Sequence, residues 1–327
     1  MSKTFTRREI LASTATLGAG TALGLGTTSL AAQAAPAGFT TRLRKALIVK
    51  QPTEKGLQEL KDIGFDGVEA SVIPVGEAEQ CRAVAEKLGM RIHSVLRGWA
   101  EFNSPDPAKV EASRKVTEDA LHAAKGFGAD AVLLVPCRIG GMKIPKPREF
   151  QFEFDEKTCL IRKVVAGDNA PYADYISAHN HAIETSREQI KRLIEVAEKA
   201  GVVIALENVW NNLWTQPAIF KCFVASFASP WVKAYFDIGN HVKYAPPEQW
   251  ILALGPLLAK CHVKDFKLND DPGGDGTWAD IRDGSVNWPL VRAALETIGY
   301  NGWLTIEGGQ CTNQEHSRRL DLIIAGK

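Results

Sequence analysis

Three observations predict that this chain is an α/β protein folded as a (β/α)8 barrel, the TIM-barrel class. Eight short apolar runs recur from Ala46 onward, with helical segments between them. Several helices end at a glycine that leads directly into the next run, as in EKLGM, KGFGAD and EKAGV. An open, doubly wound sheet is the alternative, but no G-x-G-x-x-G follows the first run. Eight such units in about 290 residues most simply close into a barrel.

The predicted strands are short runs rich in Val, Ile and Leu, and most end at or near a polar residue. In chain order they are ALIVK (46–50), GVEAS (67–71), RIHSVLR (91–97), AVLLVP (131–136), VVIALEN (202–208), VKAYFD (232–237), AKCHVKDF (259–266) and GWLTIE (302–307). Helices are predicted between them, the clearest at Thr53–Ile63, Glu77–Leu88, Asp106–Phe127, Glu184–Ala200 and Pro289–Ile298. Strands that alternate with helices form a parallel sheet whose outer face the helices cover.

One segment, residues 138–182, interrupts this alternation. It is too long for an ordinary connection between a strand and a helix. It follows the fourth predicted strand, so it lies on the side of the barrel mouth, where barrel enzymes hold their active sites. We expect a lid or a substrate-shaping loop; an insertion without a role at the site is the alternative.

The first 35 residues predict a twin-arginine export signal that is removed on maturation. Arg7 and Arg8 precede an uncharged stretch of mostly small residues, Ala12–Ala32, and AQAA then offers the small residues that a signal peptidase accepts. The many Gly and Thr residues make this stretch a poor membrane span, so we expect none after cleavage. The sequence thus predicts a periplasmic protein that meets the twin-arginine export machinery, with the barrel at 40–327. An uncleaved anchor or a disordered tail is the alternative.

Charge and cysteine content narrow the class of protein further. The full chain has a net charge of +1, and the predicted signal carries +2, so the mature chain has −1. A nearly neutral chain without a basic run argues against nucleic-acid binding. The six cysteines form no C-x-x-C pair, and twin-arginine substrates fold before export, so we expect no disulfide framework. Cys137 and Cys261 lie in apolar runs and are expected in the core.

Polar side chains stand at or near the ends of four consecutive predicted strands. Glu207 ends the fifth strand, Asp237 the sixth and Glu307 the eighth, and His262 lies within the seventh. The carboxyl ends of barrel strands converge on one mouth, so these side chains are expected to meet there. Three carboxylates crowded together without a cation repel one another. Three carboxylates and an imidazole therefore predict a site for one divalent metal ion, with Mn²⁺ as the first choice and Zn²⁺ or Co²⁺ as alternatives.

The segments ALENVWN, FDIGNH, CHVKDFK and GSVNWPLVRAALETIGYNGWLTIE resemble the xylose isomerase-like TIM-barrel superfamily, in its sugar phosphate isomerase/epimerase group. The resemblance spans Ala46–Gly309 and is strongest from Val202 onward. It implies the same four metal ligands, and it implies that Glu207 and Glu307 also move the substrate proton, as in the family's ketose epimerases. The sequence departs from that pattern in two places. His241 follows Asp237 by four residues rather than three, and only lysines, Lys264 and Lys267, stand near the place of an expected arginine.

Substrate binding is predicted for residues near the barrel mouth, namely Glu69, His93, His241, Lys264 and Trp210. The carboxylate of Glu69 and the imidazole of His93 are placed to hydrogen-bond sugar hydroxyls, with a core role as the alternative for His93. We expect Lys264 to pair with Asp265 near the site. Trp99, Trp210 and Trp214 are candidates for stacking on a sugar face, with plain packing as the alternative. His179 and His181 are weaker candidates for substrate contact, and NDDPGGDG (269–276) predicts a flexible loop.

A divalent ion beside two glutamates is typical of proton abstraction next to a carbonyl, with the ion stabilising an enediolate as a Lewis acid. Return of the proton to the opposite face gives epimerisation, and return to the neighbouring carbon gives isomerisation. Phosphorylated sugars are scarce outside the cytoplasm, and no P-loop or arginine cluster is apparent. The sequence therefore predicts a sugar isomerase or epimerase that acts on a non-phosphorylated sugar or sugar derivative.

Three alternatives to this function remain open. Removal of the same proton from a 3-keto-glycoside expels the aglycone, which would make the protein a lyase or deglycosidase. A non-catalytic sugar-binding barrel would not need two metal-bound glutamates. The endonuclease IV branch of the family uses three zinc ions and many histidines, whereas only His93, His241 and His262 are expected near this mouth. The sequence also leaves a homo-oligomer open.

The export signal makes the first testable prediction. Replacing Arg7 and Arg8 with lysine is expected to hold the precursor in the cytoplasm, because the twin-arginine pathway recognises that pair. Cell fractionation and the size of the product, precursor or mature, measure the outcome. Normal export of the Lys–Lys variant would contradict the twin-arginine assignment.

Overall fold

The computed structural model describes residues 38–270 and 275–327. Within them, eight parallel strands form the barrel: β1 (Arg44–Val49), β2 (Gly67–Ser71), β3 (Arg91–Trp99), β4 (Ala131–Val135), β7 (Val203–Glu207), β8 (Val232–Asp237), β9 (Leu258–Val263) and β12 (Trp303–Ile306). They pair in that order, and β12 pairs with β1 to close the barrel. The predicted TIM barrel is confirmed.

Helices follow the barrel strands and cover their outer faces. They are α1 (Glu54–Asp62), α2 (Val75–Lys87), α3 (Pro107–Phe127), α4 (Ala173–Ala200), α5 (Pro217–Ala225), α6 (Pro247–Leu254), α7 (Trp288–Thr297) and α8 (Asn313–Ile324). Side chains cap the N-termini of several of these helices: Thr53, Asp106 and Thr312 each accept a hydrogen bond from a backbone N–H of the first turn. Gly128 and Gly201 end α3 and α4 in the left-handed conformation, as the glycine pattern predicted.

The connection between β4 and α4 differs from the prediction at its far end. Residues 138–182 were predicted to be an insertion, but α4 already begins at Ala173 rather than at Glu184. The first turns of α4 were not predicted, because they contain polar residues such as Asn180 and His181. The buried face of the helix, which includes Tyr175 and Ile183, nevertheless has helical spacing. The irregular part therefore ends before Ala173. It contains one short hairpin, β5 (Glu153–Phe154) with β6 (Ile161–Lys163).

A second hairpin follows β9 at the barrel mouth. The seventh predicted strand, 259–266, is divided, because β9 ends at Val263 and a new strand, β10 (Asp265–Leu268), begins after Lys264. β10 pairs in antiparallel fashion with β11 (Gly276–Ala279). Part of the predicted loop between them, 271–274, lies outside the described residues. This hairpin places Trp278 beside the site.

A disulfide ties the irregular connection to the barrel helices. Cys159, which lies between β5 and β6, is bonded to Cys222 on α5. No disulfide framework was expected, and this single bond was not predicted, because the two cysteines are 63 residues apart and no local spacing signals their approach. Cys137 and Cys261 are fully buried, as predicted.

The predicted signal, residues 1–35, lies outside the described residues. Within the described part of the chain, no helix combines the length and the apolar character that crossing a lipid bilayer requires.

Reduction of the Cys159–Cys222 disulfide is expected to lower the free energy of unfolding by about 2–4 kcal/mol, because the closed loop restricts the unfolded chain. Thermal unfolding with and without a phosphine reductant measures the change, and Cys222→Ser is expected to match the reduced protein. Cys311→Ser, which removes a free and partly exposed cysteine, is the control and should leave the melting curve unchanged. Equal melting curves for reduced and oxidised protein would contradict this role.

Candidate functional site

Four side chains from consecutive barrel strands converge at the mouth. Glu207, Asp237, His262 and Glu307 each offer one ligand atom, and these four atoms all lie within 4.8 Å of one another. The first three are buried, and the side chain of Glu307 is 30% exposed. The structure thus brings together the four residues that were predicted as metal ligands.

Strand register explains why they meet. Asp237 pairs with His262 across β8 and β9, and His262 pairs with Thr305 across β9 and β12. Asp237 and His262 therefore stand at the same level of the barrel. Glu207 pairs with Tyr235, two residues before Asp237, and Glu307 follows Thr305 by two, so these even offsets keep all four side chains on the same face of the sheet. Gly239 allows the chain to turn closely over the site, since a Cβ there would lie 2.7 Å from the Cβ of Lys264.

The atoms that face one another lack hydrogen-bond partners within the described residues. They include Asp237 Oδ2, His262 Nδ1 and Glu307 Oε2, although Lys264 Nζ lies within ion-pair distance of the two carboxylate oxygens. His262 Nδ1 lies 2.8 Å from Glu307 Oε2 and 3.4 Å from Glu207 Oε1, without the geometry of a hydrogen bond. Buried polar atoms are normally paired, so several unpaired ones aimed at one point indicate a missing partner. Carboxylate oxygens and an imidazole nitrogen are ligands for a divalent cation, and the four residues fit one.

The electrostatics of the cluster follow from burial and crowding. Burial raises the pKa of the Glu207 carboxyl to about 7, against the opposing effect of His262. Burial also raises the pKa of Asp237, which Lys264 only partly offsets. Burial disfavours protonated His262, but the neighbouring carboxylates raise its pKa well above the ordinary value. Burial acts to raise the pKa of Glu307 too, yet His262 and Lys264 lower it below its usual range. The positive groups thus hold together carboxylates that would otherwise repel one another.

Glu69 lies behind His262 rather than in the open mouth. Its carboxylate is fully buried and accepts hydrogen bonds from the hydroxyls of Tyr235 and Ser94. Its Oε1 lies 3.3 Å from His262 Nε2. This contact turns the other ring nitrogen, Nδ1, toward the three carboxylates. The geometry makes Glu69 an orienting partner of His262, and its predicted contact with sugar hydroxyls has no support from this buried position.

Two asparagines that sequence reasoning did not select fix the backbone around Asp237. Asn208 Oδ1 accepts the N–H of Asp237 at 2.7 Å, and Asn208 Nδ2 donates to its carbonyl at 3.0 Å. The N–H of Asn240 donates to Asp237 Oδ1 at 2.7 Å. Each asparagine stands within three positions of a cluster residue, in ALENVWN and FDIGNH, which is the signal that could have found them.

Lys264 contacts the cluster and not Asp265. Its Nζ lies 2.9 Å from Glu307 Oε2 and 3.5 Å from Asp237 Oδ2. The predicted Lys264–Asp265 pair was wrong, because successive residues of an extended chain point to opposite sides. The Asp265 carboxylate instead accepts four N–H groups, from Phe266, Arg282, Val286 and the indole of Trp288.

Aromatic side chains form one wall of the mouth. The indole of Trp210 donates to the carbonyl of Asn240 and stacks on Trp278, with ring centres 4.9 Å apart. Trp278 is 50% exposed, so part of its indole remains accessible at the mouth, although Lys264 Nζ also lies over the ring, 5.3 Å from its centre. Sequence reasoning missed Trp278 because it placed 269–276 in a loop and did not predict the hairpin strand that follows.

Other predicted contacts fall away from the mouth. His93 stacks on Trp303 at the start of β12 and pairs with Thr305, so its core alternative is the one observed. Trp214 is fully buried against Phe220 and Phe223, which rules out sugar stacking there.

Of the other three histidines considered for substrate contact, His241 and His179 are buried and His181 is exposed on a helix. His241 is buried, with its ring against Trp250 and Tyr244, and burial lowers its pKa to about 3. His179 bonds the carbonyl of Leu213 from α4, and His181 is exposed on the same helix. Trp99 is also exposed and lies under the guanidinium of Arg138.

A cavity of about 660 Å³ opens beside the cluster, a size typical of small-molecule sites. Its lining includes Lys264, Trp278, Asp280, Glu307 and Gly309. Glu307 thus belongs both to the four-residue cluster and to the cavity wall. A small molecule in this cavity would lie against Glu307, one of the four candidate metal ligands.

Comparison with known proteins agrees with this architecture. The family described as xylose isomerase-like TIM barrel matches residues 57–320. An L-ribulose-5-phosphate 3-epimerase of Escherichia coli, UlaE, is 28% identical over 272 residues, which cover 80% of this chain and 84% of that enzyme. An uncharacterized protein of Methanocaldococcus jannaschii is 24% identical over 53% of this chain, and the match spans 57% of that protein's length. Among solved structures, the 3-keto-D-glucoside 4-epimerase YcjR of E. coli has a TM-score of 0.63 at 16% identity, covering 87% of this chain and all of that one.

The unpaired ligand atoms generate a prediction about metal content. Wild-type protein loaded with Mn²⁺ is expected to hold one equivalent and to melt at a higher temperature than the metal-free form, because a ligand of the folded state stabilises it. Asp237→Asn and His262→Ala should lose both the metal and the shift. Elemental analysis and thermal unfolding measure the two effects.

Matched controls lie on α3, where Asp119→Asn and His122→Ala change exposed side chains of the same types. Both controls should keep the metal and the shift. A full equivalent of metal in both cluster variants would show that the four residues are not the ligands.

Proposed function

The chain belongs to the xylose isomerase-like TIM barrel family, and we propose that it is a divalent-metal-dependent sugar isomerase or epimerase. The observation that carries the proposal is the cluster of four donors, whose buried ligand atoms face one another without hydrogen bonds, and whose member Glu307 also lines a cavity of about 660 Å³. The epimerase activity named for the E. coli relative UlaE supports the same reaction class.

Glu207, Asp237, His262 and Glu307 would hold the cation, with Mn²⁺ as the first choice. A bound divalent cation supplies Lewis-acid polarisation of a sugar carbonyl. Glu69 keeps the His262 ring oriented, and Asn208 and Asn240 keep Asp237 in place. The residues that surround the ligands therefore set their directions before a substrate arrives.

The two glutamates are the groups that would move protons. Glu207 comes from β7 and Glu307 from the end of β12, so they approach the cluster from different strands. Each carboxylate can accept a proton from the carbon beside a carbonyl and return it. A pair of bases on different sides of the sugar gives inversion at that carbon, which favours epimerisation. The Nζ of Lys264, 2.9 Å from Glu307, holds that carboxylate in place.

The substrate is proposed to be a non-phosphorylated sugar or sugar derivative. Among the described residues that line the cavity, Lys264 is the one cation, and it is engaged with the cluster. Phosphate sites usually recruit arginine or several lysines, and no arginine stands in this lining.

A 3-keto-glycoside lyase is the second candidate, and the size of the cavity favours it. A volume of about 660 Å³ leaves space beyond a single sugar ring, and the half-exposed indole of Trp278 lines that space. The same first proton removal then expels an aglycone instead of inverting a centre.

Export to the periplasm is proposed from the twin-arginine pattern at Arg7 and Arg8. The Cys159–Cys222 disulfide supports an oxidising compartment, because such bonds are rare in the cytosol, but it does not bear on the export route.

The assignment of the two bases is tested by glutamine substitution. Glu207→Gln and Glu307→Gln keep a coordinating oxygen but cannot accept a proton at ordinary pH. Each variant is expected to retain much of the metal and to lose turnover by a factor of about 10²–10⁴. The assay incubates metal-loaded protein with free and 3-keto sugars in heavy water and measures deuterium uptake and product.

If two bases act, one of these variants should still exchange the substrate hydrogen without completing the inversion. Glu195→Gln, which changes an exposed side chain on α4, is the matched control and should keep full turnover. Release of an aglycone would favour the lyase, and near-normal turnover in both site variants would show that neither glutamate is the base.

A further inference from the structure

The loop from β12 to α8 presents two backbone N–H groups to a carboxylate of the same chain. Gly308 and Gly309 have positive φ angles of 77° and 106°, and the next two residues, Gln310 and Cys311, point their N–H groups at Asp280 Oδ1. The N–O distances are 2.5 and 3.3 Å. A Cβ at Gly309 would lie 3.0 Å from the same oxygen and 2.7 Å from His316, so glycine is needed for this approach. Adjacent amides of this kind are donors that bind anions.

Asp280 occupies these donors from within the proposed substrate cavity. Asp280, Gly309 and Gln310 line the cavity together with Glu307 and Trp278. The N–H groups lower the pKa of Asp280, which keeps its carboxylate ionised near neutral pH. An anionic group of a ligand would have to displace this carboxylate and then lie beside it.

The nearby cations do not offset that repulsion. Lys264 is held by Glu307 and Asp237. Arg319, the arginine whose charge acts on Asp280, pairs with Asp283 at 2.6 Å and with Glu315 at 2.7 Å. The cavity wall around Asp280 therefore carries negative charge, and its backbone N–H donors are already hydrogen-bonded to Asp280.

We propose that Asp280 is a specificity-determining residue that excludes phosphorylated sugars. Its carboxylate accepts the backbone N–H groups of Gln310 and Cys311, so these donors are not available to a phosphate. The inference rests on the proposed sugar isomerase function and names the residue that selects among its substrates. A neutral sugar has no charge for Asp280 to repel, and the half-exposed indole of Trp278 in the same cavity offers the sugar an apolar contact.

The test compares wild type with Asp280→Ala, which frees both amides and removes the charge. In metal-loaded protein, the ratio of kcat/KM for L-ribulose 5-phosphate to that for L-ribulose is expected to rise at least tenfold, mainly through KM. D-fructose 6-phosphate and D-fructose form a second matched pair. The dissociation constant of inorganic phosphate, measured by calorimetry, should fall at least tenfold. Asp119→Ala removes one exposed carboxylate on α3 and should change neither quantity.

Asp280→Asn keeps an oxygen for the amides and removes only the charge, so its phosphate affinity is expected to lie between those of wild type and Asp280→Ala. It also provides the measurement if the alanine variant does not fold. Unchanged phosphate affinity in every variant that folds, or wild-type preference for the phosphorylated sugars, would overturn the role of Asp280. The calorimetric result does not depend on turnover, so a wild-type protein inactive on every sugar would contradict the proposed function separately.

Discussion

Mutual repulsion among three carboxylates is the constraint around which this barrel mouth is built. Glu207, Asp237 and Glu307 are brought within 4.8 Å of one another and of His262 by strands that the fold fixes in register. Charges this close and this poorly hydrated are costly unless positive groups stand among them. His262 and Lys264 partly meet that need, and the atoms still unpaired face inward. The four side chains at the mouth thus form a cluster that could hold a cation.

A layer of polar contacts beneath the mouth makes the arrangement rigid. Glu69 receives hydroxyl hydrogen bonds from Tyr235 and Ser94, and it faces His262 from the side opposite the carboxylates. These groups lie in the barrel interior on different strands, so turning the His262 ring would break contacts on several strands at once. Rigid orientation of this kind is what metal sites and proton transfer both require.

The sequence predicted the fold and the four cluster residues because both follow from local patterns. Apolar runs mark barrel strands, and the last residues of adjacent parallel strands must converge. It failed where position depends on contacts far along the chain. Trp214 is buried by helix packing that a lone tryptophan does not reveal, and the Cys159–Cys222 bond joins segments 63 residues apart. The Lys264–Asp265 pair failed for a local reason, the alternation of side chains in extended chain, which was available from the sequence.

The position of Lys264 has a consequence for how metal enters. The oxygens nearest its ammonium, Glu307 Oε2 at 2.9 Å and Asp237 Oδ2 at 3.5 Å, are two of the candidate ligand atoms. If a divalent ion binds through these oxygens, it would replace one cation with another, and the lysine would have to withdraw. The affinity for the ion would then be the difference between the attraction of the carboxylates for the ion and their attraction for the Lys264 ammonium. Residue 264 can tune it without any change in the ligands, so evolution could trade tight retention of the ion for rapid replacement at a single position.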